Sequence, residues 1–407
     1  MPPRSKVSLI AFGLCLAYLA AYQQFKLPPV LPVLLDTYRY DRTLAGGLMS
    51  IYAVAGLILS WVLGNALSRQ GLAGPILAGL ALMVLGSLLS LALPANAWVV
   101  LAGRALEGTG FAVLAIAGPV LANANASARQ LPIVVGLTAS WIPIGQLGAT
   151  VLAPLAFAWD WWQMLWAAAI AASLAMALWT LRLQRQGALA VSVPGPGDTA
   201  AAVSLTPLQR RSLKIAAGVF MLWSAQYFAY MTWLPQYLVE MHGLSPSMAA
   251  FGYVIPVVVL IFTTIVVGIV WRTGVPVGLT LVVGLTLQLA VWVLVPVASA
   301  GPLGVASLIV YGIGAGICPT CLFAMPSVIV GPGAAAARAF GVIMTGRNLG
   351  VLLGPVVLAQ AFKVFGGWAI AAPIFGTVTA FAAGLGIWLA ISLGGRGYGT
   401  KSYGAKR

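Results

Sequence analysis

Apolar residues dominate the chain in runs of 20 or more, from near residue 7 to near residue 393, and polar positions punctuate them rather than alternate with them. Each run is long enough to cross the roughly 30 Å hydrocarbon layer as a helix. A strand barrel would show segments of about 10 residues alternating in polarity, and here both faces are apolar. Gly, Pro and charged breaks divide the pattern into twelve predicted spans, near 7–35, 43–67, 72–94, 97–122, 131–157, 161–182, 212–239, 248–271, 275–299, 302–330, 339–362 and 369–393. The one long polar stretch, 183–211, holds "VPGPGDTAAAVS" at its centre and reads as a linker. The expected organisation is a six-helix bundle over 1–182, a cytoplasmic linker, a second six-helix bundle over 212–393 and a basic tail over 394–407.

Composition agrees with a membrane protein: 61% of the residues are hydrophobic and 7% charged, against roughly 25% charged in soluble domains. The first run exceeds the length of a signal-peptide core and lacks a small-residue cleavage pattern, so it reads as a retained span. The net charge of +15 does not point to nucleic acid, because the basic residues are scattered singly between apolar runs. They report orientation. With the N-terminus inside, short inner loops and tails hold most of the Lys and Arg, while the outer side holds only Arg39, Arg42 and Lys363. Both termini are therefore expected in the cytoplasm, in a multi-pass protein of the cytoplasmic (inner) membrane. Lys26, Arg104 and Arg347 are left as bases at membrane depth.

The halves repeat. A shift of 205 places Gly136 on Gly341, Gly145 on Gly350 and Phe157 on Phe362, and a shift of 206 places Gly108 and Gly110 on Gly314 and Gly316. Such a parallel duplication is a pattern of transporters that rock two bundles around a midplane site. On these features the chain resembles the major facilitator superfamily over nearly its whole length. That family's loop signature between spans two and three is present in reduced form as "GNALSRQG": Gly64, Arg69 and Gly71 match, with Ser68 where aspartate is usual. "RALEGTG" resembles its span-four pattern through Arg104 and Gly108. The resemblance implies an all-α fold of twelve helices in two pseudo-symmetric bundles, with gating by Arg69, Gly64 and Gly71. Drug-proton antiporters of the family carry Gly-Pro on span five. Here those positions are Ala149 and Thr150, and the Gly-Pro pair is Gly354-Pro355 on span eleven, which counts against drug efflux.

The candidate chemistry is the set of polar side chains inside the spans. An ionised group at mid-bilayer costs at least about 2.5–3.5 kcal/mol on insertion scales, so Arg104 and Glu107 must face protein or water. Their i, i+3 spacing puts them on one helix face. Either they brace span four as a mutual pair or they line a cavity, and in the resembling family the arginine of this pattern serves proton coupling or substrate binding. Glu107 is the carboxylate at depth able to carry a proton. Arg347 and Asn348 lie near the midplane of span eleven, and a guanidinium fork suits carboxylates and similar oxyanions. A solute anion is one expected partner for Arg347; Glu107 or backbone carbonyls are the alternatives. Tyr22, Gln23 and Lys26 share a stripe on span one, with Pro28 and Pro29 bending the helix beyond it. Gln226, Tyr230 and Trp233 share the equivalent stripe on span seven, and together the two stripes would line a polar pocket. Lys26 could instead snorkel to the outer headgroups. Gly145, Gly350 and Gly354 suit either a sliding seam between the halves or plain close packing of helices.

No nucleotide-binding motif, metal-ligand cluster or nucleophile with a partner base is present, and no cofactor is expected. Cys318 and Cys321 in "CPTC" lack a βαβ context and read as small buried residues. The expectation is not an enzyme but a monomeric secondary transporter that moves a small anionic solute, an organic carboxylate first, with protons as a coupling ion. The alternative is a carrier or efflux pump for neutral or cationic compounds.

Overall fold

The computed structural model describes residues 3–69, 72–127, 130–189, 205–295, 301–331 and 334–394. Within them the chain is helical: α1 (Pro3–Phe25), α2 (Leu27–Tyr38), α3 (Arg42–Arg69), α4 (Ala73–Ala92), α5 (Ala97–Ala124), α6 (Leu131–Ala139), α7 (Trp141–Ala158), α8 (Met164–Arg185), α9 (Pro207–His242), α10 (Pro246–Val270), α11 (Val277–Leu294), α12 (Pro302–Val330), α13 (Ala334–Phe365) and α14 (Ala371–Gly394). Among the described residues, ten helical stretches are long and apolar enough to cross a membrane. All twelve predicted spans fall on helices, the first and fifth as broken pairs. The centre of the expected linker and the basic tail lie outside the described residues.

The chain divides into two compact units, Met1–Ala200 with Ser245–Phe251, and Ala201–Leu244 with Gly252–Arg407. In unit 1 the first span breaks at Lys26, between α1 and α2. The prolines explain the break: Pro28 and Pro29 have no N–H to offer the carbonyls of Gln24 and Phe25 four residues earlier. The fifth span breaks at Ser140, whose hydroxyl bonds back to the Gly136 carbonyl at 3.1 Å. In unit 2, α9 starts with a capping box in which Thr206 and Gln209 each bond the other's backbone N–H, and ends on Gly243 at φ 63°.

Glycine sets the closest helix contacts. On α4 and α5, Gly86 faces the Gly103 carbonyl, and Gly79 faces the carbonyl of Gly110. A Cβ on Gly145 of α7 would overlap Tyr18 and Tyr22 of α1, and a Cβ on Gly350 of α13 would overlap Met221 and Ala225 of α9. These two arrangements are equivalent under the internal repeat. Gly145 packs inside unit 1, and Gly350 and Gly354 pack inside unit 2, each held backbone to backbone against a helix of its own unit.

Candidate functional site

Three charged residues of unit 1 converge on the break in the first span. Arg104, Glu107 and Lys26 are all fully buried. Glu107 Oε1 lies 2.7 Å from Lys26 Nζ, and its Oε2 lies 2.9 Å from Arg104 Nη1. The remaining lone pairs of Glu107 accept from the Ser87 hydroxyl at 2.6 Å and the Tyr52 hydroxyl at 2.7 Å. Lys26 also donates to Gln23 Oε1 at 2.6 Å and Ser87 Oγ at 2.9 Å, and its ammonium stands 4.7 Å from the centroid of the Trp166 ring. It therefore does not snorkel: Pro28 and Pro29 end α1 deep in the unit, and the amine is claimed there.

Arg104 is occupied by protein at every nitrogen. Nε donates to the Leu48 carbonyl at 3.1 Å, Nη1 to the Gln23 carbonyl at 2.8 Å and the Tyr52 oxygen at 3.0 Å, and Nη2 to the Gln24 carbonyl at 2.9 Å. The expectation that this fork is offered to a solute is corrected by that geometry. Arg104 caps the broken end of α1, where carbonyls lack helical donors and the helix dipole is negative. Gln23 is likewise engaged, its Nε2 3.4 Å from Ser173 Oγ, and the Tyr22 hydroxyl donates to the Leu165 carbonyl at 2.9 Å.

Unit 2 holds a different kind of site. Arg347 is 5% exposed. Its Nη1 donates to Asn348 Oδ1 at 3.0 Å, its guanidinium carbon stands 5.5 Å from the Phe228 ring centroid, and its buried Nη2 has no hydrogen-bond acceptor among the described residues. No carboxylate among those residues pairs with it. Glu107, the alternative partner named from the sequence, is held within unit 1 by Lys26 and Arg104.

In the same unit, Gln226 Oε1 accepts from Trp292 Nε1 and the Tyr311 hydroxyl, each at 2.9 Å. Gln226 Nε2 then donates to Gln288 Oε1 at 3.0 Å, which also accepts from Trp223 Nε1 at 2.8 Å. Indole N–H groups only donate, so they fix which end of each amide is oxygen. The buried Gln288 Nε2 is left without an acceptor among the described residues. Tyr230 stacks on Tyr311 with ring centroids 3.6 Å apart. Trp233 is turned elsewhere, its Nε1 bonded to the Pro355 carbonyl at 3.1 Å.

Sequence reasoning missed Tyr52, Ser87, Gln288, Trp223, Trp292 and Tyr311. For Gln288 the signal was there: a glutamine in the otherwise apolar "VGLTLQLAVWVL" must find partners. Of the expected gating residues, Gly64 and Arg69 lie on α3 where side chains are outside the described residues, as is Gly71 entirely.

A model of the Major Facilitator Superfamily matches residues 10–355. No curated protein matches the chain. Among solved structures, a single-residue mutant of the nucleoside transporter NupG is similar in fold, with a TM-score of 0.72 at 15% identity, covering 95% of this chain and 99% of that one. The family match and the helical architecture agree, and the protein is a multi-pass membrane transporter belonging to the major facilitator superfamily.

Proposed function

We propose that this secondary transporter carries a small anion, an organic carboxylate first, by alternating access, with Arg347 and Asn348 as its docking groups. The observation that carries the reading is Arg347 itself: a buried guanidinium with an unbonded Nη2 and no carboxylate partner among the described residues. A buried cation left without a counter-charge is costly by several kcal/mol, and a solute carboxylate offsets that cost with two parallel hydrogen bonds. Gln226 and Tyr230 belong to the amide and aromatic cluster of the same unit, which would order the uncharged part of the solute. In unit 1, the enclosed cluster of Arg104, Glu107 and Lys26 is the group of charges that could take up a proton alongside the solute. The protein is expected to act as a monomer in the cytoplasmic membrane with both termini inside.

A second reading, a neutral polar solute, is favoured by the unpartnered Gln288 amide within an aromatic surround. The test is uptake into proteoliposomes of labelled mono- and dicarboxylates, inorganic anions and nucleosides, with and without a pH gradient. Anion uptake that is lost in Arg347→Ala supports the first reading. Uptake of neutral compounds alone rejects it in favour of the second.

A further inference from the structure

The enclosed cluster of unit 1 holds two cations, Lys26 and Arg104, against one anion, Glu107, and all three are fully buried. We infer that the exchangeable proton of this cluster is carried by Lys26 Nζ and not by Glu107. This deepens the proton-coupled reading above and rests on it.

The argument is charge balance within fixed geometry. Arg104 cannot give up its proton. Protonating Glu107 would raise the enclosed charge from one positive to two and weaken both of its ion pairs. Release from Lys26 brings the enclosed charge to zero and leaves the Arg104–Glu107 pair, at 2.9 Å, intact. Since burying net charge is what such a site must avoid, the second course is favoured.

The hydrogen bonds suit both states. As an ammonium, Nζ has three N–H groups and three acceptors within reach: Gln23 Oε1 at 2.6 Å, Glu107 Oε1 at 2.7 Å and Ser87 Oγ at 2.9 Å. On release one N–H bond breaks, the electron pair stays on Nζ, and the proton passes to water. The Ser87 hydroxyl, now donating to Glu107, is near enough to turn its hydrogen onto the new lone pair. The described residues that touch the cluster add no second amine or carboxyl: α3 supplies the Tyr52 hydroxyl, α4 supplies Ser87, α8 supplies the uncharged Trp166 ring, α7 has no charged residue, and Asp36, the acid of α2, is not among the described partners of Lys26. Lys26 is also the single residue between α1 and α2, so a change at that junction moves the amine, whereas Glu107 is fixed within α5.

Two measurements test this. In proteoliposomes with an entrapped pH dye, using whichever solute of the panel the wild type takes up, Lys26→Arg and Lys26→Gln should lower the ratio of protons to solute to background in the flux that remains. Without any solute, lysine labelled with ζ-15N should show one of the six lysine signals passing between ammonium and amine over the pH range in which proton uptake varies, and Lys26→Arg should remove that signal. The inference is overturned if all six signals stay ammonium across that range. It is also overturned if an infrared difference spectrum over the same step shows a protonated-carboxyl band that Glu107→Gln abolishes. Anion uptake without protons in the wild type would overturn it while leaving the anion reading intact; uptake of neutral solutes alone would do the reverse.

Discussion

Arg104 Nη2 meets the carbonyl oxygen of Gln24 at 2.9 Å and so ties the fourth span to the broken end of the first. The bond exists because Pro28 has no N–H for that carbonyl. A lysine at 104 keeps the charge but offers one point donor where the guanidinium reaches the carbonyls of Leu48, Gln23 and Gln24 together. Arg104→Ala should therefore cost about 3–5 kcal/mol, the range for breaking a buried pair from one side. Arg104→Lys should fall between it and wild type. Thermal unfolding in detergent checks both, and a wild-type midpoint for Arg104→Lys would remove the capping role.

The same relationship predicts coupling between residues that are distant in sequence. Replacing Pro28 and Pro29 together by alanine restores amide donors to the Gln24 and Phe25 carbonyls. Arg104→Lys should then be less destabilising in that background than in wild type, as a double-mutant cycle on the same unfolding signal would show. Equal losses in the two backgrounds would mean that the carbonyls do not depend on the arginine.

Arg347 should behave in the opposite way to Arg104. Among the described residues its guanidinium donates to its neighbour Asn348, and its Nη2 is unsatisfied. Removing a buried charge without a counter-charge relieves a desolvation cost. Arg347→Gln should thus hold or raise the melting midpoint while abolishing uptake of the transported solute. A fall in midpoint comparable to that of Arg104→Ala would show that the residue is structural.

In the neutral cluster, Gln226→Leu would strand the indole N–H of Trp292 and the hydroxyl of Tyr311, both now bonded to Gln226 Oε1 at 2.9 Å. Each orphaned buried donor costs about 1–3 kcal/mol, so the expected loss is about 2–6 kcal/mol. A shift in tryptophan emission should accompany it as Trp292 loses its acceptor. Unchanged emission and midpoint would mean that water replaces the amide.

How much of this was legible in the sequence depends on whether a feature is local. The spans were legible because length and apolarity need no partner, and the break at Lys26 was legible because proline acts on the four residues before it. Helical period alone put Arg104 and Glu107 on one face, and left open whether they pair, as they do, or line a cavity. What joined them was not readable: Lys26 is 81 residues from Glu107, and a lone lysine near a helix end fits an interfacial position equally well. Ser87 and Tyr52 gave no signal, since a serine in a membrane helix commonly bonds its own backbone and a tyrosine commonly sits at the membrane interface. Glycine spacing announced close helix approach without naming the approaching helix, which for Gly145, Gly350 and Gly354 is a helix of the same unit.

That close approach yields a discriminating prediction about the glycines of α13. Gly346, Gly350 and Gly354 recur every four residues, and a Cβ on them would overlap the carbonyl oxygens of Ala217, Met221 and Ala225, which recur at the same interval on α9. Matching intervals running in the same direction mean that the two helices lie parallel with their backbones in contact, the arrangement small residues permit in membranes. Each overlap is with main chain, which cannot move aside as a flexible side chain could. Gly350→Ala should therefore force α9 and α13 apart, lowering the melting midpoint and separating the Phe228 ring of α9 from Arg347 of α13, now 5.5 Å apart. Gly341, on the same helix, has nothing within 4 Å of the position its Cβ would take. Gly341→Ala should leave stability unchanged or raise it slightly through the better helix propensity of alanine, about 1 kcal/mol at most. Transport and unfolding measured on the two variants side by side separate steric from intrinsic helix effects. Equal behaviour of Gly350→Ala and Gly341→Ala would show that α9 and α13 are not packed backbone to backbone.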